Sequence, residues 1–266
     1  AYEILTCDWS SDVCSSDLDL MGHQPRSVME SLQKAVNAAA GRHIHLLGEG
    51  WNFGEVENGK RFVQAAQGSL NGTGIGSFND RSRDTLRGGG CCDSASDAPK
   101  RQGWINGLHY APNEVAQASP APAAREELLQ AADLVRVVLG GSLRDLRVPT
   151  WRGITVNASE VAYASQGAGF ASQPSEVVNY AENHDNETLF DANVLKLPLS
   201  TSREDRARVQ HLGSAVVALS QGIAYFHAGQ EILRSKSLDR NSYDSGDWFN
   251  RLDWTDRKST RLNSSH

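Results

Sequence analysis

The sequence predicts an α/β protein built on a parallel sheet, and three observations carry that reading. Short apolar runs at residues 43–47 (HIHLL), 177–183 and 223–226 alternate with longer stretches whose apolar residues recur at helical spacing. Strands alternating with amphipathic helices imply βα units, and these require a parallel sheet. The run HIHLL leads straight into Gly48-Glu49-Gly50. This sets a carboxylate between two glycines at the C-terminal end of a strand, where α/β barrels keep their catalytic groups. Asp19 in DLMGH and Asp185 in NYAENHDNETLFD stand in similar punctuation.

The elements follow in order. Residues 25–39 place Val28, Leu32 and Val36 at helical spacing, with Pro25 suited to a first turn and Gly41 just past the end. The strand that ends at Glu49 comes next. Residues 71–113 are rich in Gly, Asn, Asp and Ser and contain GTGIG, but no Lys follows in P-loop position and no dinucleotide spacing appears. They read as one large functional loop. Residues 126–139 are helical, with Leu128, Ala132, Val135 and Leu139 on one face and Gly140-Gly141 as the stop. Residues 177–183 form the strand that presents Asp185. A capping-box pattern, Thr201-x-x-Glu204, opens a helix carrying Val209, Leu212, Val216 and Leu219 on one stripe. Gly222 ends it, and 223–226 read as a buried strand.

With 266 residues, 39% of them hydrophobic and 22% charged, the chain is long enough for one large domain with a sizeable core. No apolar run approaches the ~20 residues of a membrane-spanning helix, and no signal-peptide pattern opens the chain. A net charge of −6 without a basic patch argues against a nucleic-acid partner. Of the four cysteines, Cys91 and Cys92 are adjacent in the Gly-rich stretch. Neighbouring cysteines lack metal-site spacing and rarely bridge each other without strain, so they read as two small loop residues.

Both ends look foreign. DWSSDVCSSDL, residues 8–18, and DRKSTRLNSSH, residues 256–266, can be written as translations of opposite strands of one DNA string that looks like a sequencing-library adapter. Residues 1–18 and 256–266, which include Cys7, Cys14, Val13, Leu18 and Leu262, are therefore expected to pack on nothing. Residues 19–255 are expected to form the native domain.

Four motifs then occur in order: Asp19-Leu20-Met21-Gly22-His23, GEGWNFGEV (48–56), TGIGSFND (73–80) and HDNETLFD (184–191). Together they resemble the ordered motifs of type I pullulanases, starch-debranching enzymes of the α-amylase superfamily (glycoside hydrolase family 13). FHAGQEILRSKSLDRNSYDSGDWFNRLDW, residues 226–254, is similar to that family as well. The resemblance implies roughly the C-terminal half of a (β/α)8 TIM barrel, left incomplete. It implies cleavage of α-1,6-glucosidic branches by a retaining double displacement, with a branched α-glucan as partner and a secreted or periplasmic location. No cofactor or metal follows from it; calcium dependence is not legible in these residues.

By the same resemblance Asp19 is the nucleophile, Glu49 the acid/base, and Asp185 the carboxylate that holds sugar hydroxyls. For Glu49 to stay protonated near neutral pH its pKa must be raised, which an apolar wall such as Trp51 or Phe53 and a nearby ionised Asp19 would favour. His184 matches a histidine that donates to sugar hydroxyls, and Asn186 follows it in the same motif. His23 and His227 fit either substrate contact or a supporting role. Trp51, Trp104, Tyr110 and Trp248 are candidate stacking platforms for glucose rings, each equally suited to core packing.

The chain also departs from the family pattern. The arginine that should precede the nucleophile by two residues is replaced by Asp17. The first four barrel strands, an early Asn-His motif and the N-terminal carbohydrate-binding domains have no counterpart. Two alternatives stay open: a non-catalytic fragment with at most weak glucan binding, and an α-1,4-acting amylase or transferase of the same superfamily.

Overall fold

The structure, a computed structural model, describes residues 15–115 and 121–252. The strands are β1 (Ser15–Leu18), β2 (His45–Gly48), β3 (Gly76–Phe78), β4 (Arg147–Pro149), β5 (Thr155–Asn157), β6 (Ala162–Tyr163), β7 (Gln166–Gly167), β8 (Val177–Asn179) and β9 (Ile223–Ala224). The helices are α1 (Arg26–Ala40), α2 (Asp80–Arg87), α3 (Ala121–Leu139), α4 (Leu189–Lys196), α5 (Arg203–Leu219) and α6 (Asp247–Asn250). One five-stranded sheet, ordered β1-β2-β3-β8-β9, is parallel throughout. β4/β5 and β6/β7 are small antiparallel pairs outside it.

Strand alternation sends neighbouring residues to opposite faces. Leu46 joins Met21, Met29, Leu70 and Ile75, with Leu32 of α1 against them. Leu47, one residue on, joins Phe78, Val178 and Tyr180, with Trp51, Ile223 and Tyr225 packed alongside. Phe78 meets Tyr180 and Tyr225 edge-on, with ring centroids 5.1 and 5.2 Å apart. A third cluster ties α2, α3, α4 and α5 together through Leu86, Val135, Val138, Leu189, Val216 and Val217.

Several expectations are corrected. Residues 71–113 are not one loop: they contain β3 and the buried helix α2, sequence DRSRDTLR. Its polar sequence hid it, because Arg81, Arg83 and Arg87 are buried by partners rather than by apolarity. Arg81 pairs with Asp80 and lies between the rings of Tyr163 and Phe170, 4.9 and 4.7 Å from their centroids. Ser15–Leu18 does not stand apart either. It pairs with β2, and Leu18 packs against the Met21 cluster. A parallel edge is held by backbone hydrogen bonds, which make few demands on side-chain identity. The corresponding expectation for Val13, Cys7, Cys14 and residues 256–266 lies outside the described residues.

The cap of α5 is Ser202, whose hydroxyl accepts from the Asp205 N–H, so the helix starts after Ser202 and the Thr201/Glu204 pairing is displaced by one. Leu212 and Leu219, expected on its buried stripe, are 41% and 76% exposed, and Val28 on α1 is also exposed. The last strand, read as buried, is an edge strand with Ala224 and Phe226 exposed, since among the described residues β9 has a partner on one side only. Cys91 and Cys92, read as two unlinked loop residues, are joined to each other. The preceding Gly88 and Gly89, both at positive φ, give this loop a backbone freedom that spacing rules do not weigh.

Candidate active site

The register of the first two strands builds the centre of the site. Leu18 lies opposite Gly48, so the residues that follow, Asp19 and Glu49, emerge side by side at the C-terminal ends of neighbouring strands. Backbone bonds lock the junction: the Glu49 N–H donates to the Leu18 carbonyl (3.0 Å) and the Gly22 N–H to the Glu49 carbonyl (2.7 Å). The Leu20 N–H donates to Glu49 Oε2 at 3.0 Å, with Leu20 itself in the left-handed region.

The glycines here serve close approach and not a reversed backbone. A Cβ on Gly22 would stand 2.1 Å from the Trp51 carbonyl oxygen, and one on Gly48 2.6 Å from that of Leu18. One on Gly50 would stand 2.4 Å from Ser77 Oγ. The close neighbour of Gly50 is thus Ser77 of β3.

Glu49 is 4% exposed, whereas Asp19 is exposed. Burial pushes the Glu49 carboxyl up to about 7; the hydrogen bond and like charge of Asp19 and the charge of Asp185 act the same way, and the Leu20 N–H opposes them. Asp185 is held below its ordinary value, chiefly by His184, then by the charges of Lys236 and Arg83. His184 Nδ1 lies 3.4 Å from Asp185 Oδ1. The three carboxylates foreseen in the sequence therefore come together, Asp19 and Glu49 at adjacent strand ends and Asp185 close enough for its charge to bear on Glu49.

The other foreseen residues divide. His23 packs against Phe53 with centroids 4.4 Å apart and the rings tilted by 48°, which turns Phe53 toward a histidine. Trp51 packs partly into the Leu47 cluster. Asn186, at positive φ, donates to the Cys91 carbonyl at 3.2 Å and ties its turn to the cysteine loop. Trp248 on α6 is 70% exposed, and Tyr110 is exposed too. Trp104 packs against the Leu86 cluster. His227 Nδ1 meets the fully buried Glu182 at 3.0 Å, a supporting position. Among the described residues, no group of three His, Cys, Asp or Glu side chains is arranged to hold a metal ion.

Sequence reasoning missed Arg83, Tyr180 and Lys236. Arg83 donates to the Tyr180 hydroxyl at 2.9 Å and to Asp84 at 2.6 Å. The only sequence signal was two arginines, two residues apart, directly after the run ending in Phe78-Asn79-Asp80, and it reads equally well as a solvated helix.

No family model matches the chain. It is 46% identical over 246 residues to chloroplastic pullulanase 1 of Arabidopsis thaliana, covering 89% of this chain and 25% of that protein. It is 39% identical over 249 residues to the pullulanase of Klebsiella pneumoniae, covering 93% and 22%. Its homologues are pullulanases. The crystal structure of Klebsiella pneumoniae pullulanase complexed with maltotriose superposes with a TM-score of 0.83 at 39% identity, over 90% of this chain and 22% of that one. Pullulanase from Bacillus acidopullulyticus superposes with a TM-score of 0.63 at 28% identity, over 92% and 24%. The chain thus spans about a quarter of the length of the curated pullulanases it matches.

Proposed function

We propose that this chain is the site-bearing part of a debranching glycoside hydrolase, one that cleaves α-1,6-glucosidic linkages in pullulan, starch or glycogen-type glucans with retention. Glu49, protonated near neutral pH, gives its proton to the leaving glycosidic oxygen while Asp19 attacks the anomeric carbon and forms a glycosyl ester. Glu49, now ionised, takes a proton from the water that attacks the same carbon and releases Asp19. Asp185, ionised, holds sugar hydroxyls and favours the positively charged transition state; His23, Trp51, His184, Asn186 and Trp248 are assigned to substrate binding. The observation that carries this reading is the Leu18–Gly48 register, which brings Asp19 and the buried Glu49 out side by side at neighbouring strand ends, with Asp19 helping to hold the Glu49 proton. Against an α-1,4-acting relative stands the wording of GEGWNFGEV and the pullulanase names of the homologues.

The five-stranded sheet is assigned to the C-terminal half of a (β/α)8 barrel, residues 19–255 to the partial catalytic domain, and residues 1–18 and 256–266 to adapter-derived additions. On this assignment Ser15–Leu18 fills an edge position by backbone pairing with β2, and Leu18 adds a packing contact to the Met21 cluster. Among the described residues β1 and β9 have one strand partner each, which favours the second reading for the polypeptide by itself, a fragment without turnover. The test is a pullulan digest with the 266-residue chain, and with the chain joined to the preceding barrel strands of the Klebsiella pneumoniae homologue. Reducing ends should appear only with the joined protein and vanish on Glu49→Gln. A folded joined protein without turnover would defeat the assignment, and turnover by the 266-residue chain would defeat the second reading.

A further inference from the structure

Asp185 does not sit on a strand end. It follows the buried run after β8, in a turn where its N–H donates to Asn183 Oδ1 at 3.0 Å and Asn186 takes positive φ. An irregular turn holding a functional carboxylate must be fixed by something else. Lys236, which follows β9 in the chain, is fully buried. Its Nζ donates to the His184 carbonyl at 2.7 Å, one peptide away from Asp185. Lys236 is itself pinned, because its backbone N–H donates to Asp191 Oδ2 at 2.7 Å while the neighbouring Ser235 hydroxyl donates to Asp191 Oδ1 at 2.5 Å. Asp191 is fully buried on α4, whose own N-cap, Thr188, ends the same turn.

We propose that Lys236 is a positioning residue for Asp185: clamped to α4 through Asp191, it holds the His184 carbonyl and sets a fixed positive charge behind the turn that presents the carboxylate. A buried lysine is costly unless paired, and a neutral donor would satisfy the same carbonyl. The charge is therefore the feature that a purely structural role leaves unexplained. The groups whose charges bear on Asp185 are His184 on its own turn, Lys236 behind it, Arg83 from α2 and Glu49 from the end of β2. Burial, and after it the charge of Arg234, hold the Lys236 ammonium below its ordinary range, while the charges of Asp185, Glu182 and Asp191 act to keep it protonated.

The inference rests on the reading of Asp185 as the third site carboxylate, and its test does not require turnover. The 266-residue chain, labelled with carbon-13 at aspartate carboxyls, is titrated by NMR, with Asp185→Asn identifying the resonance. Asp185 should titrate below an ordinary aspartate. Lys236→Met and Lys236→Gln should raise its midpoint, and Lys236→Arg should leave it low. An unchanged midpoint in folded Met and Gln variants overturns the proposal. So does unfolding of both with a folded Arg variant whose midpoint is already raised, since Lys236 would then serve the fold alone. In the joined protein, Lys236→Met should lower kcat about 10–100-fold with a smaller change in KM. A joined protein that is inactive with Lys236 intact sinks the hydrolase reading and leaves the titration to decide the role of Lys236.

Discussion

At Glu49, burial and the neighbouring Asp19 act in the same direction, so the folded protein binds this proton more tightly than the unfolded chain. An acid whose pKa rises on folding contributes stability that is complete below its unfolded value and is lost as the pH climbs through the folded one. For Glu49 the window runs from about 4.5 to about 7. At 1.36 kcal/mol per unit, the loss across it is about 3 kcal/mol. Urea unfolding between pH 4 and 8 should show this decline in the parent chain, and Glu49→Gln, neutral throughout, should flatten it; equal slopes in the two proteins would contradict a buried Glu49 carboxyl with a raised pKa. The glycines beside it are tested differently. Gly22→Ala drives a Cβ against the Trp51 backbone and should cost about 3 kcal/mol, whereas Gly41→Ala, at positive φ but in open space, should cost about 1 kcal/mol. Thermal melts of the two variants rank them, and the reverse order would reject the close approach.

Among the elements, α1, α3 and α5 are legible because their apolar residues recur at helical spacing. The legible helices were nevertheless misplaced in detail. α5 buries Gly213, Val216 and Val217, not Leu212 and Leu219, since a stripe read from sequence does not say which side faces a neighbour. Gly213 allows the approach of Leu189 and Ile105, whose atoms would stand 3.0 and 3.1 Å from an added Cβ. The start of α5 gives a sharp test. Ser202→Ala should cost about 1 kcal/mol by removing the cap, while Thr201→Ala should stay within ~0.5 kcal/mol. A larger effect at Thr201 than at Ser202 in denaturant titrations would restore the capping box foreseen there. α2 escaped sequence reading altogether, because its arginines, Arg81 and Arg83 paired with adjacent aspartates of the same helix, are buried under rings and a carbonyl contributed by distant segments: Tyr163, Phe170, Tyr180 and Glu187.

For the whole molecule, the parallel order β1-β2-β3-β8-β9 leaves β1 and β9 with one partner each among the described residues. Around the second edge Leu219 and Phe226 are 76% and 46% exposed. An unprotected parallel edge next to exposed apolar side chains promotes association between copies. The purified chain should therefore self-associate as its concentration rises, and Leu219→Lys should reduce that association, measured by light scattering after size exclusion. A monodisperse parent chain, or no change on substitution, would show that these edges are not sticky.

What the sequence by itself determined was local and periodic: the βα alternation, the Gly-Glu-Gly and His-Asp punctuation, and through them the family resemblance and the three carboxylates. These survive because each is written within a few consecutive residues. Only the tertiary structure decided which carboxylates are neighbours and which charges are buried. The adjacent placement of Asp19 and Glu49 follows from the Leu18–Gly48 register, and the buried cations owe their tolerance to remote partners: Arg83 to Tyr180, and Lys236 to the His184 carbonyl and the charge of Asp191. A charged residue in a sequence reads as solvent-facing by default. Only its distant partners can overturn that, and no local pattern encodes them.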